Sequence, residues 1–222
     1  MKSFYYFAIA ALLLIACDKV VPEEPSIPEE TETDFVFGAV DLGLSVKWAN
    51  ANIGANKSYE YGEYFAWGET EQKDKYDWST YKFANASYIT EYNGTDKTVL
   101  DPEDDVAHLR LGGSWRIPTA SEIEELVSTK SNENYKWEWK SRNGNLGWLV
   151  TCLVNNNSIF LPAAGYWGDT SSHNMDSDCC CWSSSLNADN PNQAMVLYFD
   201  CEKISYSICA RYYGQSVRPV CD

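Results

Sequence analysis

The cysteines offer this chain most of its chemistry, because a thiol can act as a nucleophile, bind a soft metal ion or form a disulfide. If Cys17 is modified, as argued below, seven of the eight remain, and an odd number leaves at least one thiol free or paired with another molecule. Three consecutive cysteines lack the Cys-x-x-Cys spacing of zinc sites, and His108 and His173 lie outside any paired-ligand pattern. We therefore predict no metal site. The cysteines are Cys17, Cys152, Cys179, Cys180, Cys181, Cys201, Cys209 and Cys221.

The serine and carboxylate patterns do not favour a catalytic site. The serines of residues 183–185 lack the glycines of a nucleophile elbow, and neither histidine has a recognisable orienting partner. The acidic run that starts at Asp101 could bind calcium, but its spacing is not that of an EF-hand, and helix capping explains it. We predict no enzyme activity and no required cofactor, with calcium as the one cation left open.

The first seventeen residues indicate export and a lipid anchor. A basic start at Met1-Lys2 precedes an apolar stretch over residues 4–15, which is shorter than the roughly 20 residues of a membrane-spanning helix. A small residue directly before Cys17 suits a signal peptidase. The segment resembles the bacterial lipoprotein signal, which implies a signal peptide over residues 1–16 and fatty acyl groups such as palmitate on Cys17. The alternative is a secretory signal that contains a cysteine by coincidence.

The net charge of −15 limits the partners of this chain. Nucleic acid and anionic lipid surfaces bind clusters of lysine and arginine, which are absent here. Part of the acid lies in residues 17–34, where glutamates alternate with prolines. Such a segment stays extended, and we predict a stalk that separates a folded domain, residues 35–222, from the membrane.

The sequence of the first part of that domain predicts short secondary-structure elements around a core. Alternating residues over 40–54 predict a half-buried strand, and the aromatic residues of 61–70 predict a buried strand or tight loop. Residues 71–98 show no period and are expected to form a long surface loop. Asp101 is expected to cap a helix that starts at Pro102 and ends at Gly112-Gly113.

A second helix and a series of strands follow. Thr119 and Glu122 form a capping box ahead of Ile123, Leu126 and Val127. Period-two patterns from residue 136 onwards predict strands over 147–154, 158–167, 194–200 and 216–221, with a turn at 155–157. Two short helices in the first half and a strand-rich second half predict an α+β fold. The tryptophans expected in its core are Trp48, Trp67, Trp115 and Trp182.

Several strings together resemble a known family. They are VDLGLSVKWANANIGA, YGEYFAWGET, LDPEDDVAHLRLGGSWRIPTASEIEEL, SIFLPAAGY, WSSSL and YYGQSVRPVC, and they extend over residues 35–221. The residues of these segments and their order along the chain are similar to those of the Fibrobacter major paralogous domain family, which consists of surface lipoproteins of Bacteroidetes. This resemblance implies a C-type lectin-like fold, related to the formylglycine-generating enzymes and to the variable proteins of diversity-generating retroelements.

The functional motifs of those relatives are not met here. A formylglycine-generating site needs a Cys-Arg-x-x-Cys arrangement, whereas eleven residues separate Cys209 from Cys221 and Arg211 is displaced. The sugar-binding motifs of calcium lectins are also absent, and residues 190–192 resemble them only in part. The resemblance therefore favours binding over catalysis.

The segment over residues 178–214 is the predicted binding site. Sequence segments typical of a core alternate there with residues of another kind. In retroelement-diversified proteins of this fold, the adenines of asparagine codons are randomised, and these residues are among those that such codons could generate. Ordinary drift among paralogues gives a similar composition. If Leu197 and Phe199 point inward, then Val196, Tyr198 and Asp200 point outward, and the loop after them extends this surface. Tyr206 is expected to be exposed. The candidate ligand-binding residues are Cys179, Cys180, Cys181, Tyr198, Asp200, Cys201, Ser205, Tyr206, Ser207, Ile208, Cys209, Tyr212 and Tyr213.

These patterns lead to one functional expectation and its alternatives. The chain is expected to be an outer-membrane lipoprotein on the cell surface that binds an extracellular protein or glycan. A periplasm-facing location is the alternative placement. The alternative functions are a structural or adhesive envelope component without a small ligand and, third, a formylglycine-generating type of enzyme.

Overall fold

A computed structural model describes residues 35–85, 88–94 and 97–222. The predicted signal peptide, the predicted lipidation of Cys17 and the predicted stalk lie outside these residues. In the part of the chain that is described, no helix is long and apolar enough to cross a membrane.

Two short helices follow the first long irregular region. A 3₁₀ turn over Pro102–Asp104 leads into helix α1, Val106–Leu111. The predicted cap was wrong in its position: the carboxylate of Asp105, not of Asp101, accepts hydrogen bonds from the N–H groups of Ala107 and His108. Asp105 ends the 3₁₀ turn with an extended backbone, and that break separates the expected single helix into two pieces.

Helix α2, Ala120–Ser128, begins at the predicted capping box. The Thr119 side chain accepts from the N–H of Glu122, and the Glu122 carboxylate accepts from the N–H of Thr119. The same carboxylate pairs with Arg116 at 2.6 Å, and Ile123 and Leu126 turn into the core. The N–H of Ala120 donates to the Ser185 Oγ at 3.0 Å, so a long-range contact adds to the local capping box at the start of this helix.

Within residues 35–222, as far as they are described, the strands form four small sheets. In the first, β2 lies between β1 and β11; the second has the order β3-β4-β5, the third β8-β9-β10, and the fourth is β6-β7. All strand pairs are antiparallel. Their bounds are Ala39–Val40 (β1), Lys47–Ala49 (β2), Tyr135–Arg142 (β3), Asn145–Cys152 (β4), Ser158–Pro162 (β5), Tyr166–Gly168 (β6), Ser171–His173 (β7), Asp178–Leu186 (β8), Gln193–Asp200 (β9), Ile204–Ala210 (β10) and Val220–Cys221 (β11).

The α+β class and the two short helices are confirmed, whereas several further local predictions were wrong. The strand expected over 40–54 is broken between β1 and β2, where Gly43 adopts a φ of 74°. The segment after Asp200 is not a loop, because β10 follows a short turn. Trp115 is only half-buried, although the other three tryptophans are buried as predicted.

The region over residues 71–98 has no named helix or strand in its described part, but it is not confined to the surface. Tyr76, Tyr81, Phe83 and Tyr92 are all buried. The guanidinium of Arg211 lies among the rings of this region and of Trp67, with its Cζ 4.6 Å from the Trp67 ring centroid. Arg211 thereby helps to hold an otherwise irregular segment in place, together with the hydroxyl groups of Tyr76 and Tyr81, which donate to backbone carbonyls.

Candidate recognition surface

The sheet β8-β9-β10 places the candidate residues on two opposite faces. Residues paired across antiparallel strands share a face, and successive residues alternate between faces. The pairing of Cys180 with Tyr198, and of Tyr198 with Ser205, defines one face. The pairing of Cys179 with Phe199 defines the other. We call the first the outer face and the second the inner face.

The inner face belongs to the core, and this corrects the expectation for two candidate residues. Cys179 and Cys181 are 0% and 4% exposed, so their side chains are not available to a ligand. Their sulfur atoms lie 3.3 Å apart. Burial raises the pKa of Cys179 well above its usual range, and the hydrogen bond from Cys179 lowers the pKa of Cys181, as does the nearby guanidinium of Arg218.

Arg218 is fully buried beneath this face. Its guanidinium donates to the Asn52 Oδ1 at 2.8 Å and to the carbonyls of Ala49 and Phe160 at 3.0 and 2.7 Å. Burial lowers the pKa of Arg218 to about 10, and within the described chain it pairs with no carboxylate. The guanidinium therefore ties three segments together beneath the inner face, mainly through polar backbone groups.

The outer face is partly exposed to solvent, but the exposed part is smaller than the alternation of residues along β9 predicts. Tyr198 and Asp200 are half-buried and accessible as expected. Val196 lies on the same face by register, as predicted, but it is 1% exposed, which corrects the expectation that it belongs to the exposed surface. Val196 pairs with Trp182, and the Trp182 Nε1 donates to the carbonyl of Phe65 at 2.7 Å. The segment around Phe65 therefore covers this end of the outer face, and both faces of β9 are buried there.

A continuous row of rings borders the open end. Trp78 and Tyr212 lie with ring centroids 4.9 Å apart, Tyr212 and Tyr213 4.3 Å, Tyr213 and Tyr166 5.3 Å, and Tyr166 and His173 5.0 Å. All five side chains retain exposed surface. Rings held by other rings lose little conformational entropy when a partner contacts them, which suits them to recognition.

The ring row and the outer face form one surface. Gly165 and Cys179 form a bridge, which places Tyr166 beside Cys180 at the edge of β8. Cys180 in turn pairs with Tyr198 on the outer face. We call this combined area the aromatic surface. Its members are Trp78, Tyr166, His173, Asp178, Cys180, Tyr198, Asp200, Ser205, Ser207, Cys209, Tyr212 and Tyr213.

Three remaining candidates lie elsewhere. Tyr206 is 53% exposed, as expected, and Ile208 is 46% exposed, but both project from the inner-face side of the edge strand β10. Cys201 is half-buried in the turn between β9 and β10. These side chains are thus separated from the aromatic surface by the sheet edge or by the turn.

Sequence reasoning missed Trp78, Tyr166 and His173. They come from a loop and from β6 and β7, far from residues 178–214 in the chain, and only the topology brings them beside Tyr212 and Tyr213. The one available signal was the aromatic content, 14% of all residues, which does not tell which rings stay exposed.

The carboxylates of the surface differ in their environments. Asp178 and Asp200 lie directly opposite each other on β8 and β9. Burial, and then the charge of Asp200, raise the pKa of Asp178 above its usual range. Burial also acts on Asp200, but hydrogen bonds from the N–H groups of Lys203 and Glu202, both at 2.8 Å, outweigh it and lower the pKa of Asp200.

The thiols of the aromatic surface are poor nucleophiles. Burial raises the pKa of Cys209 to about 11 and raises that of Cys180 further. Both are therefore protonated near neutral pH, where a reactive cysteine would be a thiolate. Their contribution is a small, polarisable contact area.

Other parts of the described chain are weaker candidates for a binding site than the aromatic surface. A cavity of about 250 Å³ is lined by Asp105, His108, Trp115 and Arg116, but the Asp105 carboxylate already accepts from three backbone N–H groups. Within the described ranges, no three His, Cys, Asp or Glu side chains are grouped to hold a metal ion. The six cysteines Cys152, Cys179, Cys180, Cys181, Cys209 and Cys221 are free thiols.

Comparison with known proteins adds no identification. No family model, no curated protein and no solved structure matches this chain.

Proposed function

We propose that this chain is a lipid-anchored protein of the outer cell envelope that binds an extracellular protein or glycan through the aromatic surface. The observation that carries the proposal is the row of five partly exposed rings beside a sheet face of hydroxyls and thiols. Such surfaces give a large contact area at low entropic cost, as antibody loops do. The protonated thiols offer no reactive nucleophile, which favours binding over catalysis.

The placement in the envelope is supported by the sequence of the first seventeen residues and by the acidic, proline-containing segment after them. A C-type lectin-like domain of the major paralogous type is the proposed fold family, supported by the strings quoted above and compatible with the α+β architecture. Exposure on the cell surface follows from this proposal, because an anchored domain needs access to its partner.

Metabolic labelling tests the anchor. The full chain, produced in a bacterium with lipoprotein-processing enzymes, should incorporate labelled palmitate and lose residues 1–16. The Cys17→Ser variant should take up no label. If the Cys17→Ser variant takes up label, or if mass spectrometry finds Cys17 of the native chain unmodified, the lipid anchor must be dropped from the proposal.

An array of extracellular proteins and glycans tests the binding role. The lipidated chain in non-ionic detergent should give specific hits that are lost when Tyr166, Tyr212 and Tyr213 are all replaced by alanine. Tyr88→Ala is the matched control, since Tyr88 is 67% exposed and has no ring contact with the row. No specific hit would favour a structural envelope role, and hits that survive the triple substitution would place binding elsewhere.

A further inference from the structure

The charge of the aromatic surface points to the chemistry of its partner. Asp178 and Asp200 face each other across β8 and β9, and neither forms an ion pair with a lysine or arginine of the described chain. Lys203, in the turn after Asp200, lies over the Tyr198 ring at 5.1 Å, and its charge helps to lower the pKa of Asp200. Two adjacent carboxylates therefore share at most one nearby cation.

The opposite end of the ring row is also acidic. Asp77 and Asp169 share one lysine, Lys75, at 2.6 and 3.8 Å, beside Trp78 and Tyr76. Both ends of the row thus carry more carboxylates than cations, and the chain as a whole carries a net charge of −15. A partner rich in lysine or arginine would complement this field, whereas an acidic partner would be repelled.

The rings between the two ends suit the same partner. Tyrosine and tryptophan faces attract guanidinium and ammonium groups within about 6 Å of the ring centroid. The chain already uses this contact internally, because Arg211 lies 4.6 Å from the Trp67 ring and 5.2 Å from the Tyr81 ring. In the aromatic surface the rings are partly exposed, and among the cations of the described residues only Lys203 lies over one of them, Tyr198.

We infer that the partner of the aromatic surface is a protein segment that presents arginine or lysine side chains. It would stack them on Tyr166, Tyr212 and Tyr213 and pair them with Asp178 and Asp200. The raised pKa of Asp178 agrees with this, because a carboxylate that lacks a counter-ion gains most from a partner's cation. This inference rests on the proposed binding function and names its partner class.

A peptide with six arginines separated by glycine and serine is the probe. Its fluorescence anisotropy is measured with the full chain in non-ionic detergent at low and moderate salt. Asp178→Asn with Asp200→Asn should weaken binding at least tenfold. The control, Glu124→Gln with Glu133→Gln, removes the same charge from two exposed sites outside the surface and should change binding less than twofold.

The outcomes separate the two levels of the proposal. Equal losses in both double variants, or no binding of the peptide, would overturn the basic-partner inference. A neutral glycan hit that depends on the tyrosines and is insensitive to salt would also overturn it while leaving the binding function intact. If neither the array nor the peptide binds, both proposals fail. Circular dichroism of each variant verifies that it is folded.

Discussion

The two faces of the sheet β8-β9-β10 are built from similar residues and do different work. Cysteines and aromatic residues occur on both, yet Cys179 and Phe199 of the inner face are fully buried while Cys180 and Tyr198 of the outer face are half-exposed. The two faces differ in how much of each is buried by the rest of the chain. The inner face packs on the core, whereas the outer face is covered only near Trp182. Residue type alone therefore does not distinguish a packing surface from a display surface.

The largest expected contrast lies between two neighbours on β9. Phe199→Ala should lower the free energy of unfolding by about 4 kcal/mol, because it leaves a cavity beside Trp139 in the core. Tyr198→Ala should cost about 1 kcal/mol or less, since its ring is half-exposed and its hydroxyl donates only to Asp200. Urea unfolding of both variants checks this, and similar losses would show that the outer face is also a packing surface.

Arg218 sharpens the contrast from beneath the inner face. Arg218→Met should cost about 3 kcal/mol, because two carbonyls and the Asn52 amide oxygen would lose their buried donor. Arg218→Lys, which keeps the charge but not the fork of donors, should lie between that variant and the native chain. A Met variant as stable as the native chain in urea unfolding would contradict the anchoring role.

Thiol reactivity compares the two faces directly. With its pKa near 11, Cys209 should react with iodoacetamide at pH 8 about a hundredfold more slowly than an unperturbed cysteine. Its rate should rise about tenfold for each unit up to its pKa, whereas Cys179 and Cys181 should stay unlabelled while the chain is folded. Peptide mapping by mass spectrometry measures all three, with the chain in urea as reference. Rapid labelling of Cys209 at pH 8 would mean that the structure around this thiol opens in solution.

The smallest expected effect concerns Asp178. Its folded pKa is raised by burial and by Asp200, so its protonated form stabilises the fold at low pH and this contribution is lost as pH rises. Asp178→Asn should therefore increase the free energy of unfolding at pH 7, by less than about 1 kcal/mol, and have no effect at pH 3. The Asn174 amide can still donate to the new side chain. A loss of stability at pH 7 would show that Asp178 serves the fold rather than the surface.

Local signals in the sequence were the most dependable. The capping box of Thr119 and Glu122 lies within four residues, so no tertiary contact was needed to find it. The α+β class followed from the periods of the segments. By contrast, β10 was read as a loop although its residues alternate, with Ile204, Tyr206 and Ile208 on one face. The run was interpreted as a variable surface segment, and its period-two pattern was not used.

Long-range contacts caused the remaining errors. Val196 and the aromatic residues of 71–98 are buried by segments distant in sequence, which a period-two pattern cannot report. The same holds for the candidate site. Tyr212 and Tyr213 were found because they lie within the unusual segment, whereas Trp78 and Tyr166 join them only through the folded topology.

Arg211 has a consequence for how this domain could be re-engineered. It directly follows β10, and its side chain donates to the Tyr81 hydroxyl and to the carbonyls of Glu91, Tyr92 and Pro191. At the other end of β10, the Asp200 carboxylate fastens the turn. The strand between is clamped at both ends by contacts that do not involve its own outer side chains. A combinatorial library at Ser205, Ser207 and Cys209 should therefore yield folded members with altered selectivity, because the clamps stay constant while the displayed groups change.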